Sequence, residues 1–204
     1  NFSQDHLDYH KNMKSYLNAK LILFKEILKK KSFVITDSKI EQFSQIKKIT
    51  HDKDLKLLDI NKELKYLQNS RPEFYSDFKI NNLAMAIKAV KLCGIKEKFI
   101  YSAIRKIKDV NGRLELVKKY PNGVKVFVDY AHTPDALLKT LNSLKHDHKK
   151  NISLVFGCGG DRDQQKRPLM ARIANKYCKK VYITDDNPRN ENPKKIRREL
   201  SKHI

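Results

Sequence analysis

The sequence predicts an α/β protein. Three observations carry this: short apolar runs that end in polar clusters, longer amphipathic stretches between them, and Asn-Gly or lone Gly punctuation at the junctions. In the second half the runs are near-continuously apolar, which fits a parallel sheet with right-handed βαβ crossovers.

Taken in order, DYHKNMKSYLNAKLILFKEILKK reads as one helix over roughly residues 9–29. Met13, Tyr16, Leu17, Leu21, Leu23, Phe24 and Leu28 recur at helical spacing. SFVIT is a strand closed by Asp37-Ser38. KLLDI and EFYSDFKI are assigned to strands of a small antiparallel part. NNLAMAIKAVKLCGI is a helix stopped by Gly94, and KEKFIYSAIRKI is another. Asn111-Gly112 marks a domain boundary, so residues 1–110 and 111–204 are assigned to two domains. Asn122-Gly123 is a second turn. VKVFVDY, NISLVFGC and KVYITDD then alternate as strands with PDALLKTLNSLK, KRPLMARIANKYC and PKKIRRELSKHI as helices.

Of the 204 residues, 40% are hydrophobic and 33% charged, enough for one or two cored domains. The formal net charge is +21. Lysine supplies most of it and is spread along the chain, with no dense basic block, so solvated faces are favoured over nucleic-acid binding. Three distant cysteines without a CxxC pair fit a reducing setting and no zinc knuckle. No apolar run approaches membrane-spanning length, and no signal peptide is read. A cytoplasmic monomer is expected.

In a parallel α/β sheet, ligands sit beyond the carboxyl ends of the strands. Three polar clusters lie there: DYAHTPD, GCGGDRDQQKRP and TDDNPRNE. Asp129 stands at a strand end, where a carboxylate commonly accepts from ribose hydroxyls. Thr133 before Pro134 reads as a helix cap, and His132 alone is more often structural. GCGGDRD permits close backbone approach and precedes a helix N-terminus, though it matches neither common phosphate-loop motif. Arg162 and Arg167 add anion-binding capacity. QDHLDYH gathers Asp5, His6, Asp8 and His10, either a metal site or the polar start of a helix.

The stretches NFSQDHLDYH with MKSYLNAKLILF, VDYAHTPDAL, VFGCGGDRDQQKRPLM and TDDNPRNENP resemble, in order, motifs of the Mur ligases, and most closely the diaminopimelate-adding type. That family has a UDP-sugar domain, a central ATPase domain and a Rossmann-like C-terminal domain. The resemblance implies that this chain is the later part of the central domain followed by an incomplete Rossmann-like one. It implies an amide ligase that uses ATP and Mg²⁺ to add meso-diaminopimelate to UDP-MurNAc-L-Ala-D-Glu through an acyl phosphate. By the same likeness His6 is a magnesium ligand, and Lys20, carbamylated, helps position the metal; both are catalytic. Arg113, Asp129, His132 and Asn82 contact the nucleotide. Arg162, Asp186, Asn187, Pro188 and Arg189 recognise diaminopimelate, with Arg189 pairing the distal carboxylate.

The chain departs from the family pattern at Lys79, where Asn is usual, at Asn111, where Pro is usual, and at Gln165, where Gly is common. Neither a GTNGKT-type phosphate loop nor the loop that completes the amino-acid pocket is found, so this chain alone is expected to be inactive. The alternatives are a lysine-adding or folylpolyglutamate-type ligase, and a basic nucleic-acid-binding module. DNPR argues against the lysine enzyme, because lysine has no distal carboxylate to neutralise an arginine.

Overall fold

The computed structural model describes residues 2–69, 77–107, 110–148 and 151–204. In chain order, α1 (Leu7–His10) and α2 (Met13–Ile22) precede a π-helical turn, Leu23–Ile27. Next come β1 (Phe33–Thr36), α3 (Phe43–Asp52), β2 (Lys56–Asp59), α4 (Asn61–Asn69), α5 (Asp77–Leu92) and α6 (Glu97–Ile104). The remainder is β3 (Glu115–Lys119), β4 (Lys125–Val128), α7 (Pro134–His148), β5 (Ser153–Phe156), α8 (Lys166–Tyr177), β6 (Lys180–Ile183) and α9 (Pro193–Ser201). The fold is α/β, as the alternation predicts.

The chain forms two compact units, residues 17–108 and residues 1–16 with 109–204. In the 17–108 unit, β1 and β2 pair in parallel, with Val34 opposite Leu57. The antiparallel expectation for KLLDI is therefore corrected. FSQIKKITHD folds as α3 between the strands, and a helical crossover brings the second strand back in parallel. EFYSDFKI is corrected in part: Asp77–Ile80 open α5, while residues 73–76 lie outside the described residues. Ile80, Ala84 and Ile87 share one stripe of α5 and pack on Ile60, Leu64, Leu67 and Ile100. Gly94 stops the stretch as expected, with φ +83° and its N–H on Lys91 O.

The expected single helix over 9–29 is interrupted. Lys11 takes φ +63°, and the Asn12 side chain accepts from Ser15 N at 2.9 Å, capping a new helix. Capping competes with helix continuation because Asn satisfies an orphan N–H at the start of α2.

Beneath α4 and α5 of the 17–108 unit, Glu63 is 1% exposed. Its carboxylate accepts from Lys88 Nζ at 3.1 Å and Lys91 Nζ at 3.2 Å. Burial alone would raise the Glu63 pKa; the lysine hydrogen bonds outweigh it and hold the group below its ordinary range. Glu63→Ala takes the carboxylate from the largely enclosed Lys88 ammonium, while Lys91 keeps Glu97 at 2.7 Å. We expect it to destabilise the chain by about 3 kcal/mol, read from the urea midpoint.

In the other unit, β5 and β6 are parallel, with Val155 opposite Tyr182. Leu154, Phe156 and Ile183 face a core of Leu137 and Leu141 from α7, Met170 and Ala171 from α8, and Ile196 and Leu200 from α9. The third expected strand of this sheet is corrected. β4 is not hydrogen-bonded to β5; it pairs antiparallel with β3. The cause is local: Tyr120 N donates to Val124 O, Gly123 N donates to Tyr120 O, and Gly123 has φ +80°, so PNG closes a tight hairpin. α9 starts as its sequence suggests, with Asn192 Oδ1 accepting from Lys194 N and Pro193 in the first turn.

Candidate functional site

Every site position described next lies in the unit formed by residues 1–16 and 109–204, unless stated. The C-terminal ends of β5 and β6 carry the glycine loop (157–163) and the TDDNPRNE loop (184–191), and the two are stitched together. Gly160 N donates to Asn187 O at 2.9 Å, and Arg189 Nη1 donates to Gly160 O at 2.7 Å. Asn190 donates to Asp161 Oδ2 through its backbone N at 3.1 Å and its Nδ2 at 3.0 Å.

This contact explains the glycines. A Cβ on Gly157 would stand 2.5 Å from Thr184 O, and one on Gly160 would stand 1.8 Å from Pro188 O. A Cβ on Gly159 would meet the Arg189 guanidinium at 2.9 Å. None of the three has positive φ. They are glycines because the neighbouring loop is too close for a side chain, not because the turn needs left-handed backbone.

Arg189 itself has φ +49°, supported by Asn187 Oδ1, which accepts from Arg189 N at 3.1 Å. Its side chain is exposed and, among the described residues, makes only the Gly160 hydrogen bond; four of its five N–H donors remain. Arg162 is exposed and makes no side-chain hydrogen bond among the described residues. Asp186 and Pro188 lie on the same loop, where Asp186 Oδ1 accepts from Asn187 N.

Arg167 corrects an expectation. It is 1% exposed and does not offer an anion site. Nη2 and Nη1 grip Glu191 at 2.7 and 2.9 Å, Nη1 also donates to Glu199 at 2.7 Å, and Nη2 donates to Gly159 O at 3.3 Å.

A second cluster gathers Arg113, Asp129 and His132. The Arg113 guanidinium lies 4.6 Å over the Tyr130 ring, and Tyr130 meets His132 edge-on at 5.6 Å. Asp129 accepts from Leu114 N, Ala131 N and Thr140 Oγ1 at 2.7–3.1 Å. Three of its roughly four acceptor positions are thereby used to tie the hairpin to α7, and one remains for a ligand hydroxyl. Thr133 is a cap, as read: its Oγ1 accepts from Ala136 N at 3.2 Å.

Asp5 joins the clusters. Its Oδ2 lies 3.3 Å from His132 Nε2 and 3.4 Å from His6 Nε2, and its Oδ1 lies 3.9 Å from Lys166 Nζ. Gln4 Nε2 donates to Asp163 Oδ2 at 3.2 Å, anchoring the N-terminal segment on the glycine loop. Tyr16 packs against Phe2, His6 and His10. The N-terminal segment thus meets both the His132 cluster and the glycine loop. Lys20, on α2, and Asn82, exposed on α5, belong to the 17–108 unit. Among the described residues no three His, Cys, Asp or Glu side chains gather as a metal site. The Asp5 carboxylate beside the His6 imidazole is a donor pair suited to a divalent ion that keeps most of its waters.

The sequence matches the family model of the Mur ligase middle domain over residues 1–94, and that of the Mur ligase glutamate ligase domain over residues 112–204. The chain belongs to the Mur ligase family. Among curated Mur ligases, it is 38% identical over 226 aligned positions to the UDP-N-acetylmuramoyl-L-alanyl-D-glutamate–2,6-diaminopimelate ligase of Rickettsia prowazekii. The alignment covers 100% of this chain and 46% of that protein, so the chain spans about half the length of the curated relatives it matches. A solved ligase of the same name aligns with 99% of this chain and 46% of its own, at TM-score 0.51 and 27% identity. The folylpolyglutamate synthase of Thermotoga maritima shares the fold, with TM-score 0.62 and 19% identity over 88% of this chain and 47% of its own. Gln165, the position at which the sequence departs from the expected glycine, adopts φ −65°, so this backbone makes no demand for glycine there.

Sequence reasoning missed Asp5 as a junction, and Glu191 and Glu199 as partners of Arg167. The only signal was that each acid stood near a motif. The Arg167 hydrogen bond holds the Glu191 carboxyl down to about 2, against an ordinary 4.5. A lowered folded-state pKa stabilises fully above about 4.5 and is lost as pH falls toward about 2. The stability gap between wild type and Glu191→Gln should therefore shrink across that acid window in denaturant titrations; a gap constant from pH 6 to pH 2 rules this out.

Proposed function

We propose that this chain is part of an ATP- and Mg²⁺-dependent amide ligase that joins meso-diaminopimelate to UDP-MurNAc-L-Ala-D-Glu in peptidoglycan synthesis. The observation that carries the reading is the pair of exposed arginines, Arg162 and Arg189, on two loops stitched together at the ends of β5 and β6. A planar guanidinium fork suits a carboxylate, and two forks suit a diacid. Arg189 takes the distal carboxylate, Arg162 another, and Asp186, Asn187 and Pro188 shape the polar wall nearby.

ATP and Mg²⁺ supply the activation of a substrate carboxylate as an acyl phosphate, which the incoming amine displaces with release of phosphate. This chain's residues bind and orient. Arg113 meets phosphate oxygens, the free acceptor position of Asp129 takes a ribose hydroxyl, and His132 and Asn82 lie against the nucleotide. His6, held by Asp5, is a metal ligand, and Lys20 as a carbamate is another. The reaction is assigned to the cytoplasm and to a monomer, without nucleic acid or membrane as partner; among the described residues no helix is long and apolar enough to cross a membrane.

The test is amino-acid-dependent ADP release by the full-length protein carrying this chain, with UDP-MurNAc-L-Ala-D-Glu and either meso-diaminopimelate or lysine. Diaminopimelate should be strongly preferred. Equal use of lysine overturns the role of Arg189. The 204-residue chain alone should show no turnover.

A further inference from the structure

The two substrate-facing arginines sit on loops that one buried ion pair holds from beneath. We propose that Arg167 and Glu191 are positioning residues for the diacid site, setting Arg162 and Arg189 at the spacing of two carboxylates; this rests on the functional reading above.

The geometry is shared between the loops at single atoms. Glu191 Oε1 accepts from Arg167 Nη2 and from Asp161 N, both at 2.7 Å. Asp161 immediately precedes Arg162. Glu191 follows Arg189 by two residues, and its own N–H donates to Pro188 O at 3.0 Å. One carboxylate thus ties the backbone beside Arg162 to the turn that carries Arg189. Arg167 adds a grip on Gly159 O within the glycine loop and on Glu199 of α9. The pair is enclosed, with Arg167 1% and Glu191 12% exposed in their side chains. Its position is therefore set by packing rather than by solvent. Above it, Asp161 accepts twice from Asn190, a second and exposed tie between the same loops.

A carboxylate is required at position 191 because its partners donate: Asp161 N, Arg167 Nη1 and Arg167 Nη2, with a further side-chain hydrogen bond from Gln164. A glutamine amide has one acceptor oxygen, so either rotamer turns an NH₂ group toward a donor. Arg167 retains Glu199 in that variant, so the buried cation is not left unpaired and the fold is retained. What is lost is the registration of the loops. Misplacement on the order of 1 Å of groups that bind substrate is enough to cost roughly 100-fold.

The experiment uses the full-length protein carrying this chain. Glu191→Gln should raise the KM for meso-diaminopimelate by about 10-fold or more while the KM values for ATP and the UDP-linked substrate stay within about 2-fold. Asp161→Gly removes the exposed tie, and glycine accepts the φ of +49° found there. It should move the same KM in the same direction, by roughly 3-fold, with an unchanged melting profile. An unchanged diaminopimelate KM in both variants overturns the inference, as does a parallel rise of all three KM values, which marks a merely structural ion pair. If the wild-type protein does not consume diaminopimelate, the functional reading itself fails, and that is visible before any variant is compared.

Discussion

Arg189→Ala in the full-length protein is expected to raise the KM for meso-diaminopimelate by about 100-fold, because losing one partner of a charge pair that the bound substrate encloses costs about 3 kcal/mol. The guanidinium already spends one N–H on Gly160 O, which fixes its position over Gly159 and leaves the rest of the fork for a carboxylate. Alanine removes both functions. Arg189→Lys keeps the charge but not the fork, so it should recover only part of the loss. The KM for ATP should not move, since Arg113, Asp129 and His132, the residues proposed for the nucleotide, form a separate cluster around Tyr130. A comparable rise in the ATP KM would show that Arg189 acts on the fold and not on the amino acid.

Gly160→Ala should have the largest effect on stability. Its Cβ would lie 1.8 Å from Pro188 O and 2.6 Å from Pro188 C, both backbone atoms that no rotamer change can move aside. The loops must separate, breaking the hydrogen bond from Gly160 N to Asn187 O. Overpacking of this kind costs about 3 kcal/mol or more. For a unit of this size, that lowers the melting temperature by roughly 10 °C or more. Gly94→Ala is a useful contrast. Its Cβ would meet nothing within 4 Å, so only the strain of φ +83° is felt. Equal losses in the two variants would mean that the loop contact does not limit stability.

Much of the candidate site was legible because its signals are local in the chain. DNPR, GGDRD and DYAHTPD each sit where an apolar run ends, and a strand end is where an α/β sheet presents ligands-binding groups. Thr133 was readable as a cap, and Gly94 as a stop, because capping involves backbone groups only a few residues away. Two kinds of error have physical causes. KLLDI was placed in an antiparallel part because its period does not encode direction; the intervening helix does. VKVFVDY was placed in the parallel sheet because its apolar run fits a buried strand, yet the PNG turn pairs it first with its neighbour.

Arg167 is the clearest limit of local reading. In the chain it is one more arginine beside a glycine loop, indistinguishable from Arg162. In the fold it is buried between Glu191 and Glu199, which lie 24 and 32 positions away, while Arg162 stays in solvent. Asp5 behaves likewise, meeting His132 across 127 positions.

The sequence by itself determined the α/β class, the order of motifs and the residue types available for binding carboxylates, because these depend on periodicity, turn chemistry and spacing along the chain; the family came from the likeness of those motifs to the Mur ligases. Only the tertiary structure decided which arginines are free and which are consumed, why the glycine loop must be glycine, and which carboxylates hold the site together. Those outcomes depend on which distant groups are brought within hydrogen-bond reach, and a buried cation is assigned its partners only when packing removes water from around it.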